Sequence, residues 1–194
     1  MKFSKPLLAI VGATVLLGAL VTSASAAHLE LSSQTNKITW TRWNFRGGFG
    51  TISCEIALSG SFHSRTIAKT VQLLGYITAA TFTRCSSGGV TVNQASLPWH
   101  REYRSFAGTL PNITGIEERV TGAEWTMREP SFGVTCTVRR EQSSTILTYA
   151  LSSGVVTLAA VSGISPCGSF SGTIEGSTER VENGSGARVT IRLI

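Results

Sequence analysis

An all-β fold, a disulfide-stapled sandwich or barrel of short strands built from two related units, is predicted by three observations. Apolar and polar residues alternate at a period of two in several stretches, the mark of a half-buried strand. Gly and Ser clusters punctuate them: Gly47-Gly48, Ser86-Ser87-Gly88-Gly89, Ser152-Ser153-Gly154 and Asn183-Gly184-Ser185-Gly186. The four Cys fall in two pairs of equal spacing, Cys54/Cys85 and Cys136/Cys167.

Taken in chain order, Ile52, Cys54, Ile56 and Leu58 alternate with Thr51, Ser53, Glu55 and Ala57, so Cys54 points inward with the apolar set. Residues 66–80 also fit a helix, because Ile67, Val71 and Leu74 would share its face; their β-branched content decides for strands. Val134, Cys136 and Val138 alternate with Thr135, Thr137 and Arg139. Leu147, Tyr149 and Leu151 alternate with Thr148 and Ala150. Val156, Leu158 and Ala160 form a further face, and Val189, Ile191 and Leu193 stand against Arg188, Thr190 and Arg192. Spacing of this kind predicts about eight to twelve strands.

The two units are matched beyond their Cys spacing. Phe49-Gly50 precedes Cys54 as Phe132-Gly133 precedes Cys136. Trp40-Thr41 and Trp125-Thr126 lie upstream, and Phe106-Ala107-Gly108-Thr109 and Phe170-Ser171-Gly172-Thr173 lie downstream. Unit one is expected at about residues 38–127, with an insertion near 86–103 absent from unit two, at about 124–194. Four Cys allow three connectivities. The repeat favours Cys54–Cys85 and Cys136–Cys167. A zinc site is not expected, since no C-x-x-C pair and no His at ligand spacing accompanies them. No metal and no cofactor is expected.

Lys2 and Lys5, the apolar run from Leu7 to Val21 and the small residues ending at Ala26 have the layout of a secretory signal peptide over residues 1–26. The run is short for a membrane span. Residues 27–194 are then a secreted β domain without a transmembrane anchor, in an oxidising, extracellular space. Removing Lys2 and Lys5 leaves 15 of the 17 basic residues against 11 Glu and lowers the net charge from +6 to +4. The remaining Arg residues are scattered, and nucleic acid is not an expected partner. Leu110-Pro111-Asn112-Ile113-Thr114-Gly115 resembles a wall-sorting signal with one residue too many and is taken as a turn.

All eleven acidic residues are Glu, which excludes an Asp-based calcium loop, an aspartic dyad and a Ser-His-Asp triad. Adjacent Glu117 and Glu118 point to opposite faces of a strand. Glu124 and Glu129 flank Trp125, the best sugar-like grouping of carboxylates with an aromatic ring. Within the insertion, Leu97-Pro98-Trp99-His100-Arg101-Glu102-Tyr103-Arg104 gathers rings and charge, and Trp99, His100, Arg101 and Tyr103 are the candidate binding residues.

The strings Cys54-Glu55-Ile56, residues 61–69 (Ser-Phe-His-Ser-Arg-Thr-Ile-Ala-Lys), Gly75-Tyr76-Ile77-Thr78, Cys85, Leu97-Pro98-Trp99 and residues 106–113 resemble a group of small secreted proteins of high-GC actinobacteria. The resemblance implies an exported bacterial protein and brings no activity, cofactor or catalytic residue with it. The expected function is non-catalytic, binding or structural, at the cell envelope. Its partner would be a cell-wall polymer, a glycan or another secreted protein. One alternative is a hydrolase of wall polymer or polysaccharide, in which Glu102, Glu124 or another Glu meets His63 or His100 in a cleft. Another is an exported enzyme inhibitor, which requires Leu97–Arg104 to stand proud of the scaffold.

Overall fold

The computed structural model describes residues 28–48, 50–68, 70, 72–109, 112–141, 144–167, 170–178 and 181–194; at 109, 112, 144, 164–167, 170–175, 177–178 and 193 the side chains lie outside the described set. The expected signal segment, residues 1–26, lies outside the described residues.

Among the described residues fifteen strands account for nearly all regular structure. They are β1 (His28–Leu31), β2 (Thr35–Gly47), β3 (Gly50–Phe62), β4 (Thr66–Ala68), β5 (Leu73–Thr83), β6 (Gly89–Val92), β7 (Trp99–Thr109) and β8 (Asn112–Thr121), then β9 (Trp125–Glu129), β10 (Val134–Val138), β11 (Ser144–Ser152), β12 (Val155–Cys167), β13 (Phe170–Thr178), β14 (Val181–Glu182) and β15 (Ile191–Leu193). Eight of them run antiparallel in the order β2-β3-β5-β7-β8-β11-β12-β13, and β13 pairs back onto β2 from Thr173↔Arg46 to Gly176↔Trp43. The result is a nearly closed, up-and-down barrel. Below that seam β14 takes over as the neighbour of β2, and the Trp40 indole donates across to the Ala159 carbonyl at 3.0 Å.

Each end carries a small sheet. The connections β5–β7 and β8–β11 leave from one end and contribute β6, β9 and β10, in the order β10-β9-β6. Val90, Val92, Trp125, Met127, Cys136 and Val138 form its buried face. At the other end, β1 sits between β15 and β4 and buries Leu29 and Leu31. Among the described residues the buried side chains form one continuous core, drawn from both of the expected units.

Alternation placed most faces correctly, and bulges account for the departures. Two residues, Thr41 and Arg42, are extruded between Trp40 and Trp43, so both indoles face inward. A register shift opposite Ala150/Leu151 turns β12 over, so Ala159 and Val161 are buried beside Val156, rather than Leu158 and Ala160. The matched segments of the two units occupy different places. Trp40 and Cys54 belong to barrel strands, whereas Trp125 and Cys136 belong to the end sheet. The 86–103 insertion holds β6, a 3-10 turn at Gln94–Ser96 and the start of β7.

Cys54 and Cys85 form a disulfide tying β3 to the end of β5. Cys136 is also disulfide-bonded, and the side chain of its expected partner, Cys167, lies outside the described residues. The Cys54–Cys85 bridge closes a loop of about 32 residues, worth about 3.7 kcal/mol through the unfolded chain. Cys54→Ala/Cys85→Ala is therefore expected to lower stability by about that amount in urea titrations. An unchanged midpoint would refute it.

Candidate functional site

The four candidate residues lie on one strand, and its pleat divides them. On β7, Trp99, Arg101 and Tyr103 project into the barrel, exposed by 1%, 1% and 3%, while His100 projects outward. The segment does not stand proud of the scaffold, as docking through a Leu97–Arg104 loop would require. Trp99 donates its indole N–H to Ser96 Oγ at 2.9 Å, and its ring lies 6.0 Å from that of Trp125.

Arg101 spans the barrel lumen. Its Nε and Nη2 donate to Glu118 Oε2 at 2.9 and 2.7 Å, Nη1 donates to Asn36 Oδ1 at 3.2 Å, and Nη2 donates to the Tyr149 hydroxyl at 2.9 Å. Tyr149 donates in turn to Glu118 Oε2 at 3.3 Å, and the guanidinium lies 4.1 Å from the centre of the Phe62 ring. Strands β2, β3, β7, β8 and β11 thus meet through one cation. Burial works against the charge of Arg101, but Glu118 and Tyr149 outweigh it and hold the guanidinium above its ordinary value. This group fills the lumen and fixes its walls; its polar atoms face one another.

Burial pushes the Tyr149 phenol far above the ordinary tyrosine range; Arg101 opposes the rise and Glu118 adds to it. Burial raises Tyr103 as well. An unfolded phenol ionises near pH 10. Above that pH the unfolded state sheds a proton that the folded state retains, so the phenol's contribution is intact below about pH 10 and lost as the pH rises. Stability is expected to fall there by up to about 1.4 kcal/mol per pH unit from Tyr149 alone, and Tyr149→Phe to flatten the decline in melts from about pH 9 to 12. An equally steep decline in the variant would count against this assignment.

The carboxylates are dispersed. Glu117 faces outward, 4.0 Å from Arg104, while Glu118 faces inward, the opposition that their adjacency implied. Glu124 accepts from Asn93 Nδ2 at 2.8 Å. Glu129 lies on the opposite, buried side of β9. Ser87 and the Ser131 N–H hold its carboxyl below the usual range, and it caps a short 3-10 turn. The two therefore do not converge around Trp125. Among the described residues, no hydrogen bond or ion pair joins a His to a Glu, and no group of three His, Cys, Asp or Glu is placed to hold a metal.

What gathers on the outer surface is a row of rings. Tyr76 on β5 is the cross-strand partner of His100, with ring centres 5.4 Å apart. His63, just past the end of β3, meets the other side of Tyr76 edge-on at 5.0 Å. No protein-family model, curated protein or solved structure matches the chain. The row continues into a cavity of about 200 Å³ whose wall includes His63, Ser64, Thr66, Gln72 and the half-exposed Leu73. Its rim is braced. Ser64 Oγ accepts the Thr66 N–H, Gln72 donates to the Ala68 carbonyl, and the His63 N–H donates to the Leu74 carbonyl. A row of rings set edge to face, at interplanar angles of 84° and 64°, beside a small cavity edged with hydroxyl and amide groups offers aromatic surface to the C–H face of a sugar and polar groups to its hydroxyls. Tyr76 was missed in the sequence. The pairing of β5 with β7 brings it to His100, and no local pattern announces that pairing.

Proposed function

We propose that the protein is exported from a bacterial cell and acts without catalysis at the cell envelope by binding a wall glycan. The observation that carries this reading is the His63–Tyr76–His100 row running into the adjoining cavity. A disulfide between Cys54 and Cys85 fits an oxidising compartment. Five carboxylates have structural partners, which favours binding over hydrolysis: Glu30 is engaged by Arg192, Glu55 by Arg84, Glu117 by Arg104, Glu118 by Arg101 and Glu124 by Asn93; Glu102 shares the outward face of β7 with His100 but forms no hydrogen bond or ion pair with it.

Sedimentation with an insoluble wall preparation from a high-GC actinobacterium tests the proposal. Wild type is expected to co-sediment, and Tyr76→Ala or His100→Ala to weaken retention about tenfold, the loss of a central aromatic contact. Retention of both variants at the wild-type level, or no retention of wild type, would overturn it.

A further inference from the structure

The exposed turn after β14 carries an arrangement with its own chemistry. Asn183 is followed by Gly184, and the Asn183 carboxamide oxygen accepts three hydrogen bonds: from the Ser185 N–H at 2.9 Å, from Ser185 Oγ at 2.8 Å and from the Ala187 N–H at 2.9 Å. Gly184, Ser185 and Gly186 are exposed. Among the described residues nothing accepts from Asn183 Nδ2 or from the Gly184 N–H. Three donors therefore converge on one carbonyl oxygen, the leaving nitrogen is unrestrained, and the neighbouring amide open to attack belongs to a residue without a side chain.

We infer that Asn183-Gly184 is a site of spontaneous backbone-assisted deamidation, promoted by the donor cradle on Asn183 Oδ1. Hydroxide removes the Gly184 amide proton. The Gly184 nitrogen then bonds to Asn183 Cγ, and negative charge develops on Oδ1, where the Ser185 and Ala187 donors stabilise it as an oxyanion hole does. The Cγ–Nδ2 bond breaks and ammonia leaves, its extra proton supplied by water. Water then opens the cyclic imide to an aspartyl or an isoaspartyl linkage. The sum is one amide and one water giving one carboxylic acid and one ammonia, with no change of oxidation state.

The product matters to this fold. An isoaspartyl linkage lengthens the main chain inside a turn closed by the Asn183 N–H to the Ala187 carbonyl at 2.8 Å and the Gly186 N–H to the Asn183 carbonyl at 3.1 Å. That turn aligns Val189, whose N–H bonds the Val181 carbonyl, and leads into β15, the partner of β1. Either product also gives the chain its first Asp-derived carboxylate.

Peptide mapping for the amide-to-acid mass gain tests the inference. The folded full chain at mildly alkaline pH is compared with a synthetic peptide of residues 181–188. Asn183 is expected to convert at least about threefold faster in the folded chain than in the peptide. Ser185→Ala, which removes one of three donors, is expected to slow the folded chain about threefold, with no change in its melting temperature. Conversion in the folded chain no faster than in the peptide, or a wild-type rate in Ser185→Ala, would overturn the inference.

Discussion

Arg101→Met is expected to cost about 3–5 kcal/mol of folding stability, because it leaves the Glu118 carboxylate buried without its cation. Glu118 is 2% exposed, and both hydrogen bonds from Arg101 go to the same oxygen, Oε2. Without Arg101, among the described residues only the Tyr149 hydroxyl at 3.3 Å still serves that oxygen, and Asn36 loses this donor. An unpaired buried charge is penalised more heavily than an absent pair. Arg101→Met/Glu118→Leu is therefore expected to be more stable than Arg101→Met alone, which is the sign of coupling that a double-mutant cycle reads. Urea titrations of the four proteins supply the measurement. A single variant within about 1 kcal/mol of wild type, against a usual cost of several, would show that the lumen admits enough water to solvate Glu118.

The sequence makes the strands and their facing legible wherever alternation runs unbroken. Ile52, Cys54, Ile56 and Leu58 are all buried, as their period requires. It does not make closure legible. The seam from Thr173↔Arg46 to Gly176↔Trp43 joins the start of the barrel to its last strand, and no local propensity encodes a contact of that separation. Bulges hide for a related reason. The extruded Thr41 and Arg42 read as ordinary strand residues, and only the need to bury both Trp40 and Trp43 in one lumen explains them.

The candidate site divides in the same way. Trp99, His100, Arg101 and Tyr103 read as one functional cluster while they are taken as a loop. Strand parity separates them, because positions 99, 101 and 103 share a face and position 100 does not. The outward-facing residue is the one left free to meet a ligand. Its partners, Tyr76 and His63, come from β5 and from the end of β3, so they reach it only through pairing across strands.

The same parity predicts opposite outcomes for neighbouring substitutions. Trp99→Ala is expected to destabilise the chain by about 3–5 kcal/mol, the usual range for truncating a buried large aromatic. The indole is 1% exposed, lies 6.0 Å from Trp125 and donates to Ser96 Oγ, so its removal opens a void where the end sheet meets the barrel and takes one hydrogen bond from Ser96, whose hydroxyl keeps the Asn93 carbonyl at 2.7 Å. Trp125 in turn touches Phe45, and loosening there would spread toward β2. His100→Ala, one residue along, removes only an exposed ring and is expected to stay within about 0.5 kcal/mol of wild type. Its effect should fall on wall retention instead. Loss of retention in Trp99→Ala would therefore track loss of folded protein by circular dichroism, whereas His100→Ala would lose retention while fully folded. The reverse result, a stable Trp99→Ala that no longer binds, would place the ligand inside the barrel and remove the outer row of rings from consideration.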